Sequence, residues 1–116
     1  MVTAVEFRDL ALALAGTTAA PHVDRTAFKV ARIYATMAAD GLSANLKFSA
    51  DEQALKCLTA PELFAPVAGG WGRMGWTTVA LPGIDRAELL AALEAAWRDA
   101  QPKPRTSRDT AGGGRR

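Results

Sequence analysis

The 116-residue chain has one cysteine, one histidine and one tyrosine. With Cys57 alone, no disulfide closes within the chain and no set of four thiolates gathers for structural zinc. With His22 alone, a metal site built on imidazoles is not expected, and neither is a cofactor. Carboxylates paired at a catalytic spacing are also missing. Asp51-Glu52 and Asp85/Glu88 stand at expected helix starts, where capping and the helix dipole account for them. There is no phosphate-cradling glycine loop of the kind that precedes a helix. The longest apolar run, Leu10 to Gly16, falls far short of the roughly 20 residues that cross a bilayer. Glu6, Arg8 and Asp9 precede it, where a secretory leader would be basic. The expectation is therefore no membrane partner and a cytoplasmic location.

A real excess of charge is lacking too. The formal net charge is +2, but five basic residues (Lys103, Arg105, Arg108, Arg115, Arg116) and one acid (Asp109) lie from Pro102 onward. The remainder carries nine basic and eleven acidic residues, a net of −2. Strong non-specific binding of phosphate scales with the number of phosphates neutralised, so this body is not built for it. A local basic stripe remains open.

What is present suffices for one domain. Hydrophobic residues are 49% and charged residues 22%, enough to bury a core. Phe7, Leu10, Ala11 and Leu14 recur on one helical face, behind a Thr3/Glu6 capping box and ahead of Gly16. Pro21 then breaks the pattern. From His22 to Phe48 the period is two. Phe28 and Val30 oppose Lys29; Ile33, Ala35 and Met37 oppose Tyr34 and Thr36; Leu42, Ala44, Leu46 and Phe48 oppose Ser43, Asn45 and Lys47. Asp40-Gly41 signals a hairpin. Ser49/Glu52 opens a helix with an apolar stripe of Ala50, Ala54, Cys57 and Leu58. "PELF" continues as a short helical piece, "APVAGGWGRMG" reads as a loop and "WTTVAL" as a strand. Asp85/Glu88 starts a last helix striped by Leu89, Ala92, Leu93, Ala96 and Trp97. The expected fold is α+β, an antiparallel sheet with helices packed on one face, in the order α-β-β-β-α-β-α. Residues 1–101 form the domain. Residues 102–116, rich in Pro, Gly, Arg and Ser, are expected to be a disordered basic tail.

The alternation carries a functional consequence. If Leu42, Leu46, Phe48, Val79 and Leu81 face the helices, the uncovered face shows Lys29, Asn45, Lys47, Trp76 and Thr78. The adjoining loop, Gly69 to Gly75, adds Trp71 and Arg73. Aromatic and cationic side chains on an open sheet stack bases and hold phosphates. Against that stands the plain structural reading, in which a tryptophan lies across lysine stems and the lysines are solvated. A Cys57–His22 pair, with Asp24 as orienter, is the minimal enzyme. Cys57 falls on an apolar stripe, where cysteine acts as a small hydrophobe, so no enzymatic role is expected.

The stretch "FRDLALALAGTTAAPHVDRTAFKVARIYATMAADGLSANLKFSADEQALKC", followed by "GGWGRMGWTTVAL", resembles the MmcQ/YjbR family. The carrying features are "PH" with "FKV", the "IYAT" strand, "NLK", "DEQ" and "GWGRMGWTTV", over roughly residues 5–100. The resemblance implies a small α+β fold similar to the secretion-chaperone architecture, in a bacterial cytoplasmic protein of a family labelled DNA-binding. It supplies no catalytic residues. The expectation is thus a DNA-binding protein, monomeric or weakly dimeric, that uses its open sheet face and the Gly69–Gly75 loop. The alternative is a protein-interaction or small-ligand module, with a concave apolar pocket under that loop.

Overall fold

The computed structural model describes residues 1–102. The expected disordered tail lies, from residue 103 on, outside the described residues. Helix formation starts where the local chemistry says it should. Thr3 caps α1 (Ala4–Leu12) with both bonds of the capping box in place. Ser49 caps α2 (Ala50–Thr59) and Asp85 caps α4 (Arg86–Asp99), each side chain accepting from the backbone N–H three residues on. These bonds satisfy amides that have no partner inside the helix.

Six strands form one antiparallel sheet: β1 (Thr18–His22), β2 (Arg25–Lys29), β3 (Ile33–Met37), β4 (Ser43–Lys47), β5 (Phe64–Pro66) and β6 (Trp76–Ala80). Their spatial order is β1-β2-β3-β4-β6-β5. Asp40-Gly41 does turn the chain between β3 and β4: Gly41 has φ +72° and Asp40 Oδ1 accepts from Leu42 N at 2.9 Å. Phe7, Leu10 and Ala11 of α1 and Leu89, Ala92, Leu93 and Ala96 of α4 bury themselves with Phe28, Ala35, Leu46 and Val79 of the sheet. Phe7 meets Phe28 edge-on, with ring centroids 5.5 Å apart. Burial of apolar surface against one sheet face is what holds the layers together.

The architecture is the expected α+β sheet with its helices on one side, but it contains more elements. Thr18–His22, read as a break, is an edge strand. Pro21 is tolerated there because an edge leaves one side of the ladder unpaired. Phe64–Pro66, read as the end of a helical piece and the start of a loop, is the opposite edge. Both edges thus carry a proline, which blunts them against pairing with another chain. Gly70–Arg73, read as loop, is one helical turn, α3.

Two side chains also depart from the simple alternation, and one helix from its expected stripe. Pairing shifts between Phe28 and Lys29, where the partner of Lys29 is Ile33 rather than Tyr34. This bulge sends Tyr34 inward beside Ala35, fully buried, with its hydroxyl 2.8 Å from Thr17 Oγ1. Leu42, expected inside, precedes β4 in the turn and is exposed. In α2 the stripe is rotated. Leu55 and Leu58 are exposed, while Glu52, Gln53, Lys56 and Cys57 are partly covered. The reason is chemical. Lys56 lays its ammonium over the rings of Phe48 and Phe64, at 5.6 and 5.5 Å, and Gln53 binds backbone carbonyls. Amphipathic side chains seat this helix in place of leucines.

Candidate functional site

The helix-free face is built from the register. Ala20, Ala27, Thr36, Asn45, Thr78 and Ala65 stand opposite one another in a single row across all six strands. Residues directly opposed in an antiparallel ladder share a face. Small side chains in this row leave a trough. Larger groups rise on either side of it, and the result is a groove of about 220 Å³ lined by His22, Arg25, Thr36, Asn45, Val67, Trp71 and Trp76.

Each wall has a local cause. His22 and Arg25 close the β1–β2 hairpin as a pair across a two-residue turn. The turn holds Val23 at φ 59°, 95% exposed, so a β-branched residue sits in the left-handed region. Arg25 reaches inward across the sheet. Its Nε donates to Thr36 Oγ1 at 2.9 Å and its Nη2 to the Thr36 carbonyl at 3.2 Å. On the far wall, Trp76 opens β6 and Trp71 stands on α3, 62% exposed. Gly72 and Gly75 make that turn possible. A Cβ on Gly72 would collide with the Val67 carbonyl, and one on Gly75, at φ +105°, with the Phe48 carbonyl. Gln53 of α2 anchors the segment from below. Its Nε2 lies 2.9 Å from Gly72 O, 3.1 Å from Thr77 Oγ1 and 3.3 Å from Trp76 O.

Of the residues expected on this face, the structure brings Asn45, Trp71 and Trp76 into the groove. Thr78 lies beneath, its hydroxyl donating to Asn45 Oδ1 at 2.9 Å. The three cations go elsewhere. Lys47 is paired in register with Trp76, but its ammonium lies 4.0 Å from Asp99 at the end of α4. The two residues line a separate small cavity of about 40 Å³ with Arg32 and Tyr34. Arg73 borders another depression, of about 270 Å³, with Gln53 and Pro66. Lys29 is exposed between Thr18 and Ile33, away from the groove. The positive charge of the groove comes instead from Arg25, which sequence reasoning missed. Its signal was present: Arg25 is two residues from Ala27 and so shares its face, but the hairpin that turns it over Thr36 depends on the unrecognised β1. Val67 was missed as well.

His22 and Cys57 sit on opposite sides of the sheet, one in the groove and the other against the helix-side core. Burial pushes the Cys57 thiol up, which disfavours the nucleophilic thiolate. Among the described residues no group of three or more His, Cys, Asp or Glu could hold a metal ion. None of the described helices is long and apolar enough to cross a membrane.

The fold has a solved counterpart. A crystal structure of the Deinococcus radiodurans protein DR2400, whose domain is described as DUF419, superposes with a TM-score of 0.71 at 24% identity, over 83% of this chain and 76% of that one. At that identity the likeness concerns the fold. No curated protein matches the chain. The family model described as YjbR matches residues 12–99, which takes in every strand, the groove and all of α4. On that match, the chain belongs to the YjbR family.

Proposed function

We propose that this protein binds single-stranded nucleic acid, DNA in the first place, in the groove of its open sheet face. One observation carries the reading: a largely exposed indole, Trp71, stands with Trp76 across from Arg25 and His22, and among the described residues no carboxylate lines the space between. Indole faces accept unstacked bases of any identity, and a nearby guanidinium takes the phosphate. A duplex hides its base faces, so the concave surface suits a single strand better than a helix.

The charge distribution sets the scale. A body of net −2 with one arginine in the groove neutralises few phosphates. Affinity then falls gently with salt, about 0.7 in log K per log salt for each phosphate contact. The basic tail adds sequence-independent contacts. The role is one of binding, without chemistry at Cys57, in a bacterial cytoplasm and as a monomer or weak homodimer.

Tryptophan fluorescence during titration with short single- and double-stranded oligonucleotides tests this. Quenching by single strands that disappears in Trp71→Ala, with an unchanged circular dichroism spectrum, is the expected result. Quenching that survives in Trp71→Ala, or none at all at low salt, would sink the reading.

A second reading rests on the apolar character of Val67, Trp71 and Trp76 around the groove. It is the concave pocket under the Gly69–Gly75 loop that a small planar anion or a partner peptide would use. Saturation by a monomeric aromatic anion, with no gain from a longer phosphate chain, would favour it.

A further inference from the structure

Resting on the nucleic-acid reading, we infer that the bound single strand runs across the β-strands, leaves the groove over Val67, and has a second phosphate held by Arg73 in the depression beyond. The course follows from how the two depressions adjoin.

The row of small side chains from Thr36 through Asn45 and Thr78 to Ala65 crosses the strands. A chain molecule lying along it passes from β3, where Thr36 holds Arg25, to the β5 edge. Val67 follows β5, and its N–H donates to the Trp76 carbonyl at 2.9 Å. This half-buried valine lines the groove and also the depression of about 270 Å³ that Arg73 borders. The two hollows therefore meet at one side chain. The turn of α3 stands beside that meeting point. Trp71 and Arg73 are two residues apart on it, about 200° around the axis. Trp71 accordingly faces the groove and Arg73 the depression.

The charges suit a phosphate there. Arg73 is exposed and, among the described residues, enters no ion pair. Among those residues no carboxylate lines either hollow. Glu52, next to Gln53 on α2, is engaged by Lys56 at 3.2 Å. Gly69 leaves the rim open, since even a Cβ there would meet nothing within 4 Å. A guanidinium so placed can take a phosphate through two N–H groups. From β3 to β5 is three strand spacings, about 14 Å, so one phosphate cannot serve both arginines. A nucleotide inside a strand has a phosphate on each side. With its base on the indole wall, one side leads toward Arg25 and the other over Val67 toward Arg73.

The test uses full-length protein and two deoxythymidine ligands without terminal phosphates, a dinucleotide and a hexanucleotide. The dinucleotide has a single phosphate and can engage only one arginine. Affinity is followed by tryptophan quenching at several salt concentrations. Arg73→Ala should lower the hexanucleotide's salt slope by about 0.7, one contact, and leave dinucleotide binding as it is. Arg73→Lys, which keeps the charge, should restore the slope; a purely structural role for the guanidinium would not give that rescue. An unchanged hexanucleotide slope in Arg73→Ala would overturn the inference and leave the nucleic-acid reading standing. Equal losses for both ligands would also overturn it, because Arg73 would then act inside the groove. No quenching by either ligand in the natural protein at low salt would remove the inference together with the reading it rests on.

Discussion

Lys47 stands directly opposite Trp76 in the β4–β6 ladder, yet its ammonium lies 4.0 Å from the carboxylate of Asp99. Strand parity puts the two side chains on one face, but the length of a lysine lets its charge leave that face. The cation that reaches the groove belongs to Arg25, whose position is fixed by two hydrogen bonds to Thr36.

This separation predicts different behaviour for the two cations. Arg25→Ala should weaken single-strand binding and lower the salt slope by about 0.7, one phosphate contact. Lys47→Ala should leave the slope unchanged. Affinity measured at several salt concentrations for each variant checks this, and equal losses would show that both charges face the ligand.

Gln53 should tolerate its closest isostere poorly. In Gln53→Glu a carboxylate replaces the NH2 that faces Gly72 O, Trp76 O and Thr77 Oγ1, setting acceptors against acceptors. A loss of about 2–3 kcal/mol in urea unfolding is expected, the cost of leaving buried groups unmatched. Because those carbonyls belong to the segment carrying Trp71, its fluorescence maximum should shift as well.

Tyr34 predicts a pH dependence at the alkaline end. Burial pushes the phenol above its ordinary 10.0, only partly offset by the hydrogen bond with Thr17. The fold therefore favours the neutral form. This contribution is whole below the unfolded phenol's value and is lost as pH rises through the folded one. Tyr34→Phe should be less stable at pH 7 by about 1 kcal/mol, for the lost hydrogen bond. Its stability should fall less steeply than the natural protein's above pH ~10. Parallel alkaline unfolding curves would contradict the assignment.

Val23 is the one non-glycine residue with positive φ among those described, and it leads the hairpin that aims His22 and Arg25. Val23→Gly should relieve the left-handed strain, offset in part by glycine's greater chain entropy, for a net gain of about 1 kcal/mol. The corresponding rise in Tm is roughly 4–8 °C. If the strain serves to hold Arg25 over Thr36, binding in this variant should weaken while stability rises.

Much of this was legible in the residues because the responsible forces are short-range. A cap is a bond between positions three apart, so Thr3, Ser49 and Asp85 announced their helices. The pleat has a period of two, so Ala44, Leu46 and Val79 inside implied Asn45, Trp76 and Thr78 outside. That alternation failed where one residue slipped, at the bulge that turns Tyr34 inward. The stripe of α2 failed because a lysine and a glutamine, polar by composition, turn toward the protein, Lys56 over the rings of Phe48 and Phe64 and Gln53 onto the loop.

By itself, the order of amino acids determined that this chain forms one sheet with helices on a single face, and that Trp76 and Asn45 emerge on the other. Periodicity and capping act between near neighbours, and they need no knowledge of the remote chain. Only the tertiary structure decided which charge accompanies those indoles. Asp99 draws Lys47 away and Thr36 holds Arg25 in place, and both choices depend on groups brought together from distant elements. An ammonium or guanidinium goes to the partner that the folded chain supplies within its reach, and no local pattern encodes that partner.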